Sequence, residues 1–219
     1  LSHYRVLPLL QYKGYLADNV AVSFPSANNR FGEIVEASVE RLVSHCHHLY
    51  DAPALGTLVK TSGTSPIYGI VSGIDTSSLD PTRRVLARGI DAESEVQIYQ
   101  ENPQLERLLR TTVTITVVGY NEQMEFRRYL PPLPPRIHTF VYVCAAVEVE
   151  NFTSNPDFLL VLVKQSLPIS DEVLAACLRQ AAPAHDKPND FLIQASRFLA
   201  SIIGSDTVRL NSILRRLPL

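Results

Sequence analysis

The apolar residues of this 219-residue chain recur at every second position in its first part and at helical spacing from Ser170 onwards. That change of period predicts strands first and helices last, an α+β arrangement, because alternation between two faces and a single helical stripe are incompatible patterns. TTVTITVVGY, residues 111–120, sets the first pattern, with Val113, Ile115 and Val117 on one face and threonines on the other. Asn121-Glu122 and MEFRRYL follow and read as the second arm of a hairpin. GTLVKTS, IYGIVSGI and RRVLARGI are further short β-prone runs, separated by Gly, Ser, Pro and Asp. Strands this short and closely spaced predict a small barrel or sandwich. Between them, PQLERLLRT reads as one or two helical turns. EASVERLVSHCHHLY places Val39, Leu42, Val43, Cys46, Leu49 and Tyr50 at helical spacing.

PPLPPRIH, residues 131–138, holds four prolines and so lacks four amide donors. It is read as an extended, rigid connector between domains, although PPLPPR also matches a PxxPxR peptide. TFVYVCAAVEV and FLLVLVK after it are apolar on both faces and read as a covered strand pair. Three helices close the chain. The first carries the stripe Val173, Leu174, Cys177, Leu178 and Ala181, with Ser170 as N-cap and Asp171 and Glu172 in its first turn, and ends at Pro183. The second starts near Asn189 or Asp190 and ends at Gly204; the third is capped by Ser205 and buries Leu210, Ile213, Leu214 and Leu217.

With 46% hydrophobic and 19% charged residues the chain belongs with folded globular proteins, and its net charge of −2 provides no global attraction to nucleic acid or to an anionic membrane. Nucleic-acid binding is therefore not expected. The longest apolar runs fall far short of the roughly 20 residues of a membrane helix, so no membrane insertion is expected. Three dispersed cysteines, Cys46, Cys144 and Cys177, suit a reducing compartment rather than a disulfide framework. The first residues, LSHYRVLPLL, lack a signal-peptide pattern and a starting methionine, and a trimmed amino end is expected. A cytoplasmic location follows, or the plastid stroma if the source is a plant or alga.

GTLVKT, a short turn and YGIVSGI together resemble the HAS-barrel, the small β-barrel at the amino ends of rotary ATP synthase subunits and HerA-type DNA translocases. The likeness covers roughly residues 15–120 and implies tight wall bends at Gly56, Gly69 and Gly73. Against the helical spacing of EASVERLVSHCHHLY it implies a strand there, because a barrel needs its wall, and strand is the preferred reading. With its YLPPLPPRIH segment and its ending DFLIQASRFLASIIGSDTVRLNSILRRL, the whole chain is also similar to uncharacterised HAS-barrel proteins of cyanobacteria and plastids. The resemblance implies a HAS-like barrel over residues 1–130, the connector over 131–138, and a strand pair with terminal helices over 139–219. The barrels of the ATPases sit side by side in rings, so it implies self-association or docking to a larger complex. No GxxxxGK[ST] loop occurs, so the motor is absent from this chain.

Four kinds of chemistry deserve a place in the reading. SGTS and SGIDTSS offer amides and hydroxyls to a phosphate, but they lead into a strand rather than a helix amino terminus and read as turns. His45 and His47 would share a face of a strand and are the metal candidates, though no nearby motif completes a zinc set, and a surface histidine run is the simpler reading. Cys46 lies between them, but adjacent residues of a strand point apart; Cys144 and Cys177 read as small core residues. Arg83, Arg84, Arg88, Arg136 and His138 are the candidates for binding a partner or a small anion such as a nucleotide, with Arg83 or Arg84 expected to pair with Asp80. No cofactor and no catalytic residue is predicted. The resulting expectation is a non-catalytic binding or assembly module with a protein partner or a second copy. The alternative is a small-molecule or nucleotide-binding protein, or a hydrolase, using the arginine or histidine cluster.

Overall fold

The computed structural model describes residues 29–164 and 170–218; the signal-peptide reading and the first residues of the HAS-like stretch lie outside them. Seven strands form one antiparallel sheet: β1 (Arg30–Ala37), β2 (Arg41–Cys46), β3 (Leu58–Thr61), β4 (Ile67–Ser78), β5 (Leu109–Glu122), β6 (Glu125–Arg127) and β7 (Phe140–Val143). Their order is β2-β1-β7-β3-β4-β5-β6, and β2 also pairs with β5. Two short helices, α1 (Glu95–Glu101) and α2 (Leu105–Leu108), lie between β4 and β5. Five more follow the sheet: α3 (Ala146–Thr153), α4 (Phe158–Lys164), α5 (Ser170–Ala181), α6 (Pro188–Ile203) and α7 (Thr207–Leu214).

The strand reading of EASVERLVSHCHHLY holds. β1 turns into β2 through Ser38, whose hydroxyl donates to the Arg41 carbonyl and accepts from the Arg41 amide. Alternation on β5 is also as read, with Val113, Ile115 and Val117 buried. Its hairpin to β6 turns at Gln123 and Met124, both with positive φ, as a tight two-residue hairpin loop requires. Register shifts interrupt the β4–β5 pairing between Tyr68 and Gly69 and between Val71 and Gly73.

Three predicted strands are not strands. FLLVLVK is helix α4, burying Phe158, Leu159 and Leu162, a helical spacing that a short all-apolar run conceals. TFVYVCAAVEV changes element midway: β7 ends at Val143 and α3 starts at Ala146, so its two apolar faces belong to different structures. The predicted strand pair is therefore one strand, β7, and two helices, α3 and α4. RRVLARGI forms no strand and runs as irregular backbone, pairing with neither β4 nor β5, which hydrogen-bond to each other from Ile67–Tyr120 out to Ser78–Leu109. SGIDTSS, read as a turn, lies within β4; the chain turns instead at Gly63 (φ 116°) and beyond Leu79. PPLPPRIH has no regular structure, as expected, and delivers β7 between β1 and β3.

Two apolar clusters result. One lies on the inner side of the sheet, around Phe31, Ile34, Leu42, Val59, Val71, Val113, Ile115 and Val141. The other lies between the outer side of β3, β4 and β5 and helices α3–α7, around Tyr68, Ile70, Val118, Phe152, Phe158, Leu174, Leu192 and Ile213. At its centre Phe152 stacks on Tyr68 (5.0 Å between ring centroids) and meets Phe126 and Phe158 edge-on or tilted. Phe152 reaches the sheet over Gly119, where a Cβ would come within 3.2 Å of its ring and 2.3 Å of the Arg127 carbonyl oxygen. Gly56 (φ 86°) allows a similar approach on the loop before β3, which runs against the backbone of Ala176 in α5.

The terminal helices carry the predicted stripes: Val173, Leu174, Cys177, Leu178 and Ala181 are all buried. Asp206, not Ser205, caps α7, its carboxylate accepting from the Arg209 amide at 2.9 Å. Arg209 and Arg216 reach back to Asp171 (2.7 Å) and Glu172 (2.7 Å) in the first turn of α5, and Arg179 joins Glu172 at 2.9 Å. The Arg179 bond, with Arg216 beside it, holds the Glu172 carboxyl below its usual range.

His185 links α3 to α6. Its ring stacks on Phe191 at 4.0 Å, and its Nε2 lies 2.8 Å from the Thr153 hydroxyl. Burial lowers its pKa against the opposing pull of Glu150 and Asp186. The unfolded chain therefore takes up this proton first, so stability is full above the ordinary histidine value of 6.5 and falls as pH drops below it. Thermal midpoints of wild type and His185→Phe should thus converge between pH 7.5 and pH 5 (about two and a half units); parallel curves would refute this role for the imidazole.

Candidate partner-binding site

β4 and β5 extend as a two-stranded ribbon whose far half is exposed on β4 from Ile74 to Ser77, with side chains at Leu79 and beyond also open to solvent. At its tip the chain makes a 30-residue excursion, Leu79–Leu108, between the end of β4 and the start of β5. Local hydrogen bonds shape its entry. The Asp80 carboxylate accepts from the Thr82 amide (2.9 Å) and hydroxyl (2.7 Å), and Arg83 closes on Asp80 at 3.4 Å. The Thr82 bonds, with Arg83 beside them, lower the Asp80 pKa. The expected Asp80 pairing is thus present, through Arg83.

Arg83, Arg84 and Arg88 come together here, lining a cavity of about 280 Å³ with Leu86, Leu105 and Leu108. They do so on irregular backbone, not on one face of a strand as the alternation of RRVLARG predicts. Arg88 donates to the Asn102 side chain at 3.2 Å. Arg84 makes no hydrogen bond or ion pair among the described residues. The far end of the excursion is anchored at Tyr99, whose hydroxyl bonds that of Tyr50 on the β2–β3 loop. Gly89 packs under Ile98 of α1, where a Cβ would lie 2.7 Å from the Ile98 Cδ1.

Arg136 and His138 are placed elsewhere. The proline segment brings them beside β1, where the His138 amide donates to the Ile34 carbonyl at 2.8 Å and its Nδ1 lies 3.4 Å from Glu33. Arg136 offers its carbonyl to the Thr139 hydroxyl at 2.6 Å. His45 sits opposite Glu33 of β1 and Thr112 of β5 in the sheet. His47 lies just past the end of β2, edge-on to Phe140 at 6.2 Å. Among the described residues no group of three or more His, Cys, Asp or Glu side chains is placed to hold a metal ion.

All three cysteines are buried and free. Burial, helped by Asp51, pushes the Cys46 thiol up to about 12; burial alone does the same to Cys177 and, with Glu148, raises Cys144 well above its ordinary value. Such thiols carry almost no thiolate at neutral pH and are poor nucleophiles.

One polar group escapes a reading of the sequence. Lys60 of β3 binds both oxygens of Glu148 (2.8 and 2.6 Å), and the Tyr68 hydroxyl of β4 donates to the same carboxylate at 2.5 Å. Burial and the Glu148 bond both raise the Tyr68 pKa, so its hydroxyl stays protonated as a donor. The lone lysine in GTLVKT is the signal that was available, but its partner lies on a segment read as strand. The trio clamps α3 to the sheet beside Cys144. Glu148→Gln should lower the denaturation midpoint by about 1–3 kcal/mol of stability at unchanged m-value, because Lys60 loses its counter-charge at a half-buried position; an unaltered midpoint would show the clamp to be dispensable.

The described residues include no helix long and apolar enough to cross a membrane. Neither a protein-family model nor a curated protein matches the chain.

Proposed function

We propose that this chain is a non-catalytic binding and assembly module built on a small HAS-like β-barrel. The barrel reading rests on the pairing of β2 with both β1 and β5. Each of β1, β7, β3, β4 and β2 then has two hydrogen-bonded neighbours and β5 has three, β6 included, and one apolar cluster lies against the strands. A closed wall removes sheet edges, so a partner must be met by side chains on what projects from it.

The excursion at the tip of the β4–β5 ribbon carries the functional reading. Val85 is 60% exposed, Leu86 71% and Ile90 96%, and they alternate with the arginines of the cavity. Aliphatic side chains this bare, ringed by charge, mark interaction surfaces. A 280 Å³ recess edged by leucines and arginines suits an acidic side chain or a small anion better than a nucleotide. The buried cysteines give catalysis no activated nucleophile.

Affinity capture from a lysate of the source organism, with tagged wild type and Leu86→Asp as parallel baits, tests this. A protein held by wild type should be lost from the variant. Equal capture by both baits, or none by wild type, refutes docking through this surface.

A further inference from the structure

The middle of the excursion, residues 83–101, is divided by charge. Residues 83–89 carry Arg83, Arg84 and Arg88 and no acid; residues 90–101 carry Asp91, Glu93, Glu95 and Glu101 and no base. The halves do not neutralise each other: among the described residues no ion pair joins them, and Arg88 turns instead to neutral Asn102. Each half also bears bare aliphatic side chains, Val85 and Leu86 on the basic one and Ile90 and Val96 on the acidic one. Helix α1 buries no side chain at all. A seven-residue helix gains too little from its own hydrogen bonds to persist in water without packing, so its exposed side calls for cover.

Resting on the reading of the excursion as a docking surface, we propose that its occupant is a second copy of this chain, bound about a two-fold axis with the basic half of each copy on the acidic half of the other. Such an interface must be self-complementary, and a surface carrying both signs side by side meets that condition in a way a single-sign patch cannot. Arg84, without a hydrogen bond or ion pair among the described residues, faces the partner's carboxylates, and the aliphatic residues of the two halves cover one another. The 30 residues of the excursion match the roughly 20–30 residues a side of a standard interface.

Light scattering after size exclusion, on the purified full-length chain over about 1 μM to 1 mM (an upper limit set by millimolar association being the weakest specific binding), tests the proposal. Wild type should pass from monomer to dimer. Arg84→Glu and Glu95→Arg should each weaken the dimer by about tenfold or more, because each sets like charges face to face. An equimolar mixture of the two variants should recover it as a heterodimer, since position 84 of each copy then faces the opposite charge at position 95 of the other. Both positions are exposed, and unchanged thermal midpoints would establish that the variants fold. A wild type that stays monomeric, or a dimer indifferent to both reversals, overturns the proposal. Loss of a captured protein with Leu86→Asp alongside a monomeric wild type would leave the docking surface standing and assign it to a different partner.

Discussion

Everything in this molecule is arranged around strands that are buried on both sides. β4 opens with six consecutive buried residues, and β5 holds six more from Ile115 to Tyr120. One face of these strands fills the inner cluster and the other supports Phe152, Phe158 and the terminal helices. Neither layer is self-sufficient: without the helices the outer faces of Tyr68, Ile70 and Val118 would be bare, and without the sheet the helices would lose the apolar face that Phe152 and Phe158 pack towards. The hydrophobic gain from this double burial, at roughly 25 cal/mol per Å² of apolar surface, is the main force holding the layers together.

Polar contacts then set how the layers meet. The Lys60–Glu148–Tyr68 clamp fixes α3 against β3 and β4, and Arg128 lies over Phe152 and Phe126 while donating to the Phe152 carbonyl. These charges sit at the rim of the apolar seam, where water still reaches them and the cost of burying them is modest. The same economy accounts for the excursion. Once β4 and β5 have paired with each other along their length, the residues between them join no strand and neither apolar cluster. Their leucines, valines and arginines stay largely at the surface, and Leu86 and Ile90 are among the barest aliphatic side chains of the described residues.

What the sequence determined alone was the part governed by local periodicity. The alternation of TTVTITVVGY, the stripes of α5, α6 and α7, and the halt imposed by four prolines each follow from side-chain spacing or a missing amide, and each is found in the fold. The arginine composition of residues 83–88 was legible as well. The rest was decided by tertiary structure. FLLVLVK and TFVYVCAAVEV are apolar at nearly every position, and such runs hold no period from which to choose strand or helix; packing against the sheet made the choice. RRVLARG fits a strand by local spacing, yet the fold leaves it as irregular backbone beyond the end of β4. Arg136 and His138 parted from the arginine cluster because β7 inserts between β1 and β3, and Lys60 met Glu148 because α3 folds back over β3. Contacts between residues 88 apart, as in that pair, depend on which surfaces are left uncovered when the layers close, and local spacing carries no record of that.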